Sequence, residues 1–307
     1  MRVHPRHLAF AIRPLPPRIR ALSTRASITH MAFVFAHRNP DSPQRLVRRF
    51  LVIPLFFVLV SVSDAATYTL AIEPSDSPSR LQQLYRPLAD YLSRSTGETF
   101  EVQLAPNFLA YWQRVKKGGA YDFIIDSAHM TDYRIKEQKF VPLMRGAGNV
   151  TYSVVTLKSG AGTEAKALVG KNVASLGPPS MPYLLFHKLY PNPLRQPKLV
   201  PVEGASAAID ELRSNNAIAA VIPSQVAQHT DDVIVIAETE AVPNLALSAS
   251  PTVPAHIQAR VVEALNNASS DPEIVELLDQ LGISEMTPVD AAQYQGQASL
   301  LEGMWGF

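Results

Sequence analysis

From residue 67 onward, apolar runs of strand length alternate along the chain with longer amphipathic segments. This alternation is typical of α/β proteins, in which helices pack against a sheet. The chain has 307 residues and is 47% hydrophobic, which is enough for one two-lobed domain with a sizeable core. The predicted strands are 68–72, 100–104, 123–125, 152–157, 172–175, 219–222, 233–237 and 245–248. The clearest predicted helices are 80–93, 109–117, 182–189, 206–215, 254–268 and 272–281.

Two segments depart from this alternation, and we expect the chain to cross between two lobes at both. The first is the β-rich run 151–158, which leads into a flexible Gly-containing sequence at 159–163. The second is the polar segment 238–244. Because two crossings return the chain to the lobe in which it began, its N- and C-terminal parts should share that lobe. The predicted lobes are 66–156 with 241–307 for lobe one, and 157–240 for lobe two.

The first 65 residues have the organisation of an export signal. Residues 45–49 carry three Arg, residues 50–62 form an apolar run, and Ala65 ends a Ser-Asp-Ala cleavage pattern. A bilayer span needs about 20 apolar residues, so this run is short for a membrane anchor. We therefore predict cleavage after Ala65 and a periplasmic mature protein. The Arg-rich, acid-poor segment 1–44 favours a misassigned start codon over an organellar transit peptide.

Charge and cysteine content narrow the function classes. The 28 Lys and Arg residues include 10 Arg before residue 66, whereas only two of the 27 acids, Asp41 and Asp64, lie there. The remainder therefore holds 18 basic and 25 acidic residues, a net charge of about −7, which argues against nucleic-acid binding. The chain has no Cys, which excludes disulfides and a lipid-modified Cys anchor.

The segment just behind the predicted signal forms a ligand-facing unit. The strand at 68–72 runs into the polar loop 73–77, and a helix follows at once. Such a loop directs the unpaired N–H groups of the helix start toward a crevice. Ligands of open α/β sheets bind outside the carboxyl ends of the strands, so the other loops at strand ends are candidates too. These loops are 107–108 and 126–129 in lobe one, and 176–183, 203–206 and 223–224 in lobe two.

Several segments resemble, in order and spacing, the phosphonate-binding family of ABC-importer substrate-binding proteins. These transferrin-like proteins are type II periplasmic binding proteins. The resemblance implies two α/β lobes, each a mixed sheet flanked by helices, joined by two crossing hinge strands. It also implies a phosphonate- or phosphate-like ligand clamped between the lobes and delivered to a membrane permease with its ATPase. The matching segments are 74–78, 85–92, Thr96-Gly97, 118–123, 168–174, 243–247 and Tyr294.

The chain departs from the family pattern at three places. Family members carry a hydroxyl-rich turn at a helix start, whereas the turn at 177–183 retains only Ser180, and Pro182 removes one N–H donor. Ser206 stands where the family often has a His. Family members that bind phosphonates bearing an amine carry an acid in the next strand, where this chain has Ala219 and Ala220, so an aminophosphonate is not predicted.

The resemblance also places an aromatic wall at Phe108 and a ligand-facing side chain at Asp126. A carboxylate there would repel an anion unless it is protonated or hydrogen-bonded, which leaves a neutral, cationic or zwitterionic ligand open. Helix capping is the alternative role for Ser75, Ser77, Asp126 and Ser127. An ordinary Pro-rich turn is the alternative for Ser180 and Tyr183, and capping or a place at the core edge is the alternative for His129. The candidate ligand-binding residues are Ser75, Ser77, Phe108, Asp126, Ser127, His129, Ser180, Met181, Tyr183 and Ser206.

The sequence offers no positive sign of catalysis. Zinc-ligand spacing is absent, and so is a nucleophile elbow of the Gly-x-Ser-x-Gly type. We therefore predict a monomeric binding protein that is not an enzyme and uses no cofactor or metal. It would pass its ligand to an ABC permease and ATPase. The alternative is a ligand sensor that presents its closed state to a membrane signalling receptor.

Overall fold

The computed structural model describes residues 65–118, 121–160 and 163–302. Apart from Ala65, the predicted leader lies outside these residues. The strands are β1 (Thr67–Ile72), β2 (Thr99–Gln103), β3 (Phe123–Asp126), β4 (Val141–Gly146), β5 (Asn149–Val150), β6 (Tyr152–Leu157), β7 (Asn172–Leu176), β8 (Lys198–Val202), β9 (Ala219–Pro223), β10 (Val233–Glu238), β11 (Val242–Pro243), β12 (Ala246–Ala249) and β13 (Met286–Pro288). The α-helices are α1 (Pro78–Thr96), α2 (Phe108–Lys117), α3 (Ala128–Tyr133), α4 (Met181–Lys188), α5 (Ala205–Arg213), α6 (Ser224–Gln228), α7 (Ala255–Asn266) and α8 (Pro272–Leu281).

The first sheet has the strand order β13-β4-β12-β3-β1-β2. Strand β1 pairs in parallel with β2 and β3, whereas β12 is antiparallel to β3 and β4. Successive residues of β1 point to opposite faces, as a pleated strand requires. Leu70 and Ile72 pack in a core with α1, α7 and α8, whereas Ala71 joins a second core with α2. Helices therefore cover both faces of this sheet.

The second sheet has the order β10-β6-β9-β7-β8. Strand β7 is parallel to β8 and β9, and β6 is antiparallel to β9 and β10. Val155 and Ile222 pack with residues of α5 on one face, and Val154 and Val221 pack with α4 on the other. The predicted two-lobed α/β fold, with a mixed sheet flanked by helices in each lobe, is thus confirmed.

A short antiparallel ribbon of β5 and β11 marks the two crossings between the sheets. The chain leaves the first sheet after β4, passes through β5 and enters the second sheet at β6. It returns from β10 through β11 to β12. The predicted boundary between residues 156 and 157 falls inside β6, so the exact limits of the lobes stay a prediction.

Local signals explain where the helices begin and end. In α1 the Ser77 side chain accepts from the backbone N–H of Arg80, Pro78 is the first helical residue, and Gly97 ends the helix with φ 75°. Asp271 caps α8 in the same way. None of the described helices is long and apolar enough to cross a membrane.

Each predicted strand and helix overlaps an observed one, but several elements escaped prediction. Strand β4 contains Pro142, which pairs where its partner β12 shifts register, and β8 contains Pro201 and lies at a sheet edge. Proline breaks the strand pattern and is tolerated at just such positions. Helices α3 and α6 are too short to show a clear helical period.

Candidate ligand-binding site

Two neighbouring strand ends in lobe one meet through Glu73 and Ser127. Strands β1 and β3 are parallel neighbours, so the residues that follow them lie side by side. The backbone N–H of Ser127 donates to Glu73 Oε2, and its hydroxyl donates to Glu73 Oε1, each at 2.5 Å. Glu73 lies in the predicted loop 73–77, yet the sequence did not single it out. Ser127, a predicted site residue, is thus engaged with an acid of the same lobe.

Glu73 is a buried carboxylate in an unfavourable electrostatic setting. Burial, and next the charge of Asp126, raise its pKa to about 7, although the hydrogen bonds from Ser127 oppose this shift. The other buried acids, Asp126 and Asp132, form ion pairs with Arg134 and Lys136. Glu73 has no ion pair with any residue that the structure describes. The site therefore contains a buried acid that lacks a cation of its own.

Asp126 is already paired within lobe one. Its carboxylate lies 2.6 Å from Arg134 Nε and accepts hydrogen bonds from the Tyr111 hydroxyl at 3.0 Å and the Thr131 hydroxyl at 3.0 Å. Asp126 and Arg134 are both buried. The repulsion of an anion that the sequence led us to expect at Asp126 is therefore offset by Arg134.

His129 joins the two lobes. Its Nε2 lies 2.9 Å from the carbonyl oxygen of Pro179, in the turn before α4. Because a carbonyl can only accept, Nε2 carries the proton and donates it. Nδ1 is buried and has no hydrogen-bond partner among the described residues. Burial lowers the pKa of His129 to about 4, so the ring is neutral near pH 7.

The turn that precedes α4 uses its one hydroxyl for helix capping. The Ser180 hydroxyl donates to the carbonyl of Leu176 at 3.2 Å and accepts from the N–H of Tyr183 at 3.4 Å. Met181 is buried in a cluster that includes Ala128 of lobe one. The half-buried Tyr183 ring lies 4.2 Å from the His187 ring, centroid to centroid. These predicted residues stand at the junction of the lobes.

The lobes also touch where the loop after β1 faces the start of α5. Gly204 is the N-cap residue of α5 and provides no side-chain cap. A Cβ added at Gly204 would come within 3.0 Å of Asp76 Cγ and 3.2 Å of Asp76 Cα. Ser75 and Ser206, two predicted contacts in these loops, are exposed, whereas Ser77 caps α1. The close approach of Asp76 thus depends on a residue without a side chain.

Phe108 is part of the lobe-one core. It begins α2, is buried, and packs edge-to-face on Tyr111 with 5.8 Å between ring centroids. The same core includes Leu184 of α4 and, at its border, Tyr183. Phe108 therefore supports the junction from one side, through Tyr111 and Asp126. Its predicted role as an aromatic wall for a ligand stays a prediction.

A comparison with protein families identifies the chain. A model described as ABC transporter, phosphonate, periplasmic substrate-binding protein matches residues 70–294. The chain belongs to this family. The resemblance stated from the sequence is confirmed, and the protein is a periplasmic substrate-binding protein of the ABC-transporter type. The family binds small ligands, works with a permease and an ATPase, and is not a family of enzymes. No curated protein matches the chain.

Solved structures agree on the fold at low sequence identity. A binding component of an ABC phosphonate transporter from Pseudomonas aeruginosa has a TM-score of 0.65 at 13% identity, and the match covers 77% of this chain and 86% of that one. PhnD1 from Prochlorococcus marinus, in complex with methylphosphonate, has a TM-score of 0.67 at 11% identity, covering 78% and 98%. A Xanthomonas citri protein bound to ATP has a TM-score of 0.57 at 15% identity, covering 77% and 96%.

Four residues in or beside the site of this substrate-binding protein were not predicted from the sequence, namely Glu73, Arg134, Tyr85 and Tyr152. Tyr85 belongs to α1 and Tyr152 to β6 of the second sheet, and burial followed by the charge of Glu73 raises the pKa of each. An acid directly after a buried strand could have revealed Glu73. The others become neighbours only through the tertiary fold. Among the described residues, no group of His, Asp and Glu could hold a metal ion.

Proposed function

We propose that the mature protein clamps one small polar ligand between its two lobes and delivers it to an ABC permease and its ATPase. The observation that carries this proposal is the hydrogen bond from His129 Nε2 to the Pro179 carbonyl at 2.9 Å. This bond joins a loop after β3 of the first sheet to the turn after β7 of the second. Closure of such lobes around a ligand is a hinge motion, which the β5 and β11 ribbon would accommodate.

We propose a ligand that carries a phosphonate- or phosphate-like group, as the family description implies. Two structural relatives, PhnD1 and the Xanthomonas citri protein, hold methylphosphonate and ATP. Pairing of Asp126 with Arg134 supports this proposal, because it lowers the negative potential at the strand ends. The capped turn at 177–183 would contribute less to the oxyanion than its counterpart in the family.

We further propose export through a signal peptide cleaved after Ala65, and a monomeric mature protein. The apolar run 50–62 and the small residues before Ala66 support the cleavage position. N-terminal sequencing of protein secreted into a bacterial periplasm should begin at Ala66. Light scattering should give the mass of one mature chain. A different first residue or a dimer mass would correct these points without altering the binding role.

Thermal unfolding of residues 66–307 with a ligand panel tests the binding function. Methylphosphonate, ethylphosphonate, 2-aminoethylphosphonate, phosphate, phosphite and simple amines would be compared with sulfate at equal ionic strength. A ligand that binds only the folded chain stabilises it by RT ln(1 + [L]/Kd), so Tm should rise with concentration. Small-angle scattering should show closure by the same ligand. If no compound in the panel raised Tm, the proposed binding function would be lost.

A further inference from the structure

Glu73, a buried acid without an ion pair among the described residues, indicates a chemical group of the ligand that family membership does not specify. Glu73 follows β1 at the sheet edge where ligands of α/β proteins bind. Only Ser127 hydrogen-bonds its carboxylate within the described part of the chain, and each carboxylate oxygen can accept more than one bond. A buried charge without a counter-charge is costly, and acids in such a setting are often found at functional sites. Glu73 is therefore a candidate for contact with a group from outside the protein.

The cation whose charge acts on Glu73 is engaged elsewhere. Arg134 donates from Nε to Asp126, from one terminal nitrogen to Gln138 at 3.1 Å, and from the other to the Tyr111 hydroxyl at 3.3 Å. Arg134 is therefore bonded to Asp126, and its charge also acts on Glu73. When Glu73 is ionised, this group of three carries one net negative charge, and one positive charge would balance it.

Two hydroxyls with unused bonding capacity accompany Glu73. Tyr85 is buried on α1 in the core that contains Ile72, and Tyr152 of β6 is partly buried against the cluster that contains Ala128, so both pack beside the strand ends that carry Glu73 and Ser127. The charge of Glu73 acts on both hydroxyls. Neither hydroxyl hydrogen-bonds another residue that the structure describes. Phenol oxygens accept N–H bonds as well as donate O–H bonds. The three side chains together provide acceptors for a group with several N–H donors.

We propose that Glu73 determines specificity by binding a protonated nitrogen of the ligand, with the hydroxyls of Tyr85 and Tyr152 beside it. This inference rests on the proposed binding function and adds a ligand class to it, an ammonium-bearing compound. The acid that amine-binding family members carry in the second lobe is replaced here by Ala219 and Ala220. Glu73 would supply the counter-charge from the opposite lobe. The two hydrogen bonds from Ser127 hold the carboxylate in place as an acceptor.

A matched ligand pair tests this assignment by calorimetry at pH 8. 2-Aminoethylphosphonate and ethylphosphonate share the phosphonate group and differ in the ammonium. We expect the wild-type protein to bind the amine at least about thirtyfold more tightly, and Glu73→Gln to lose that preference, because removal of one buried charge partner has effects of this size. Glu276→Gln, which removes an exposed acid on α8, is the control and should retain the preference.

The outcomes separate this inference from the proposed function. Equal binding of both phosphonates by the wild-type protein, or an unchanged preference in Glu73→Gln, would overturn the role of Glu73 and leave the binding function intact. If no compound in the panel bound, both the role of Glu73 and the proposed binding function would be refuted. Should Glu73→Gln unfold, Tyr152→Phe preserves the ring and tests the same proposed contact. We expect Tyr152→Phe to bind 2-aminoethylphosphonate several-fold more weakly and ethylphosphonate as before. Unchanged binding of the amine would contradict the assignment.

Discussion

Arg134 and Asp126 form a buried ion pair, with 2.6 Å between Arg134 Nε and Asp126 Oδ2. The pair stands directly behind the strand ends that carry Glu73 and Ser127. It neutralises Asp126, which the sequence marked as a ligand contact, and leaves Glu73 as the acid without a cation. The pairing of these two residues thus changes which side chain is available to a ligand.

Removal of Arg134 should destabilise the fold strongly. Arg134→Met leaves Asp126 charged and buried without its partner, and we expect the free energy of unfolding to fall by about 3–5 kcal/mol. Urea unfolding at pH 7 measures this change. Arg86→Met is the matched control, because Arg86 forms an exposed pair with Asp90 at 3.6 Å, and such pairs contribute less than about 1 kcal/mol. Equal effects of the two variants would contradict the assigned importance of the buried pair.

Replacement of Glu73 should change how stability depends on pH. The folded state raises the pKa of Glu73 from 4.5 to about 7, so its contribution to stability is full below pH 4.5 and is lost as pH rises through 7. Glu73→Gln removes this loss and should be more stable than wild type at pH 8, by up to about 3 kcal/mol. Unfolding in urea between pH 4 and 8 tests this. Parallel curves for the two proteins would show that Glu73 does not titrate as described.

Affinity for the ligand should increase with pH, whereas the contribution of Glu73 to folding stability decreases with pH. A protonated nitrogen binds ionised Glu73, so affinity for an ammonium compound should increase as pH rises through about 7. Glu73 is the group that titrates, while Asp126, Arg134, Tyr85 and Tyr152 are the charged or titratable groups around it. Calorimetry with 2-aminoethylphosphonate and ethylphosphonate from pH 5.5 to 8.5 measures the trend as the ratio of the two affinities, because the phosphonate group that both compounds share also titrates in this range. A ratio that stays constant over this range in the wild-type protein would contradict the role of Glu73.

The sequence predicts more of the fold than of the ligand-binding site. Alternation of apolar runs revealed most strands of both sheets, though not β4, β8 or β13, because burial on a pleated surface leaves a local signature. The role of Asp126 could not be predicted in the same way, since its partner Arg134 is set by the path of the chain after α3. Ser180 illustrates the same limit, as a hydroxyl at a helix start can cap the helix or bind a ligand. Only tertiary contacts decide between such roles.

A side chain at Gly204 should hinder closure of the lobes. Gly204→Ala places a methyl group within 3.0 Å of Asp76 Cγ and 3.2 Å of Asp76 Cα, in the opposite lobe. Overpacking of this kind costs about 1–3 kcal/mol, so we expect weaker ligand binding and a larger radius of gyration with ligand present. Gly177→Ala is the control, since its Cβ would meet Pro201 at an ordinary 3.6 Å. Equal affinities for the two variants would show that the Asp76 contact does not limit closure.

His129 should make the protein sensitive to acid. Burial lowers its pKa from 6.5 to about 4, so its contribution to stability is present above pH 6.5 and is lost as pH falls through 4. His129→Asn should be less stable than wild type at pH 7, because the bond to the Pro179 carbonyl is lost. This difference should shrink by up to about 3 kcal/mol near pH 4, where wild-type His129 must bind a proton in a buried site. His256→Asn, at an exposed position on α7, is the control for the same substitution and should change stability little. A constant difference for His129→Asn between pH 7 and 4 would contradict the burial of the imidazole.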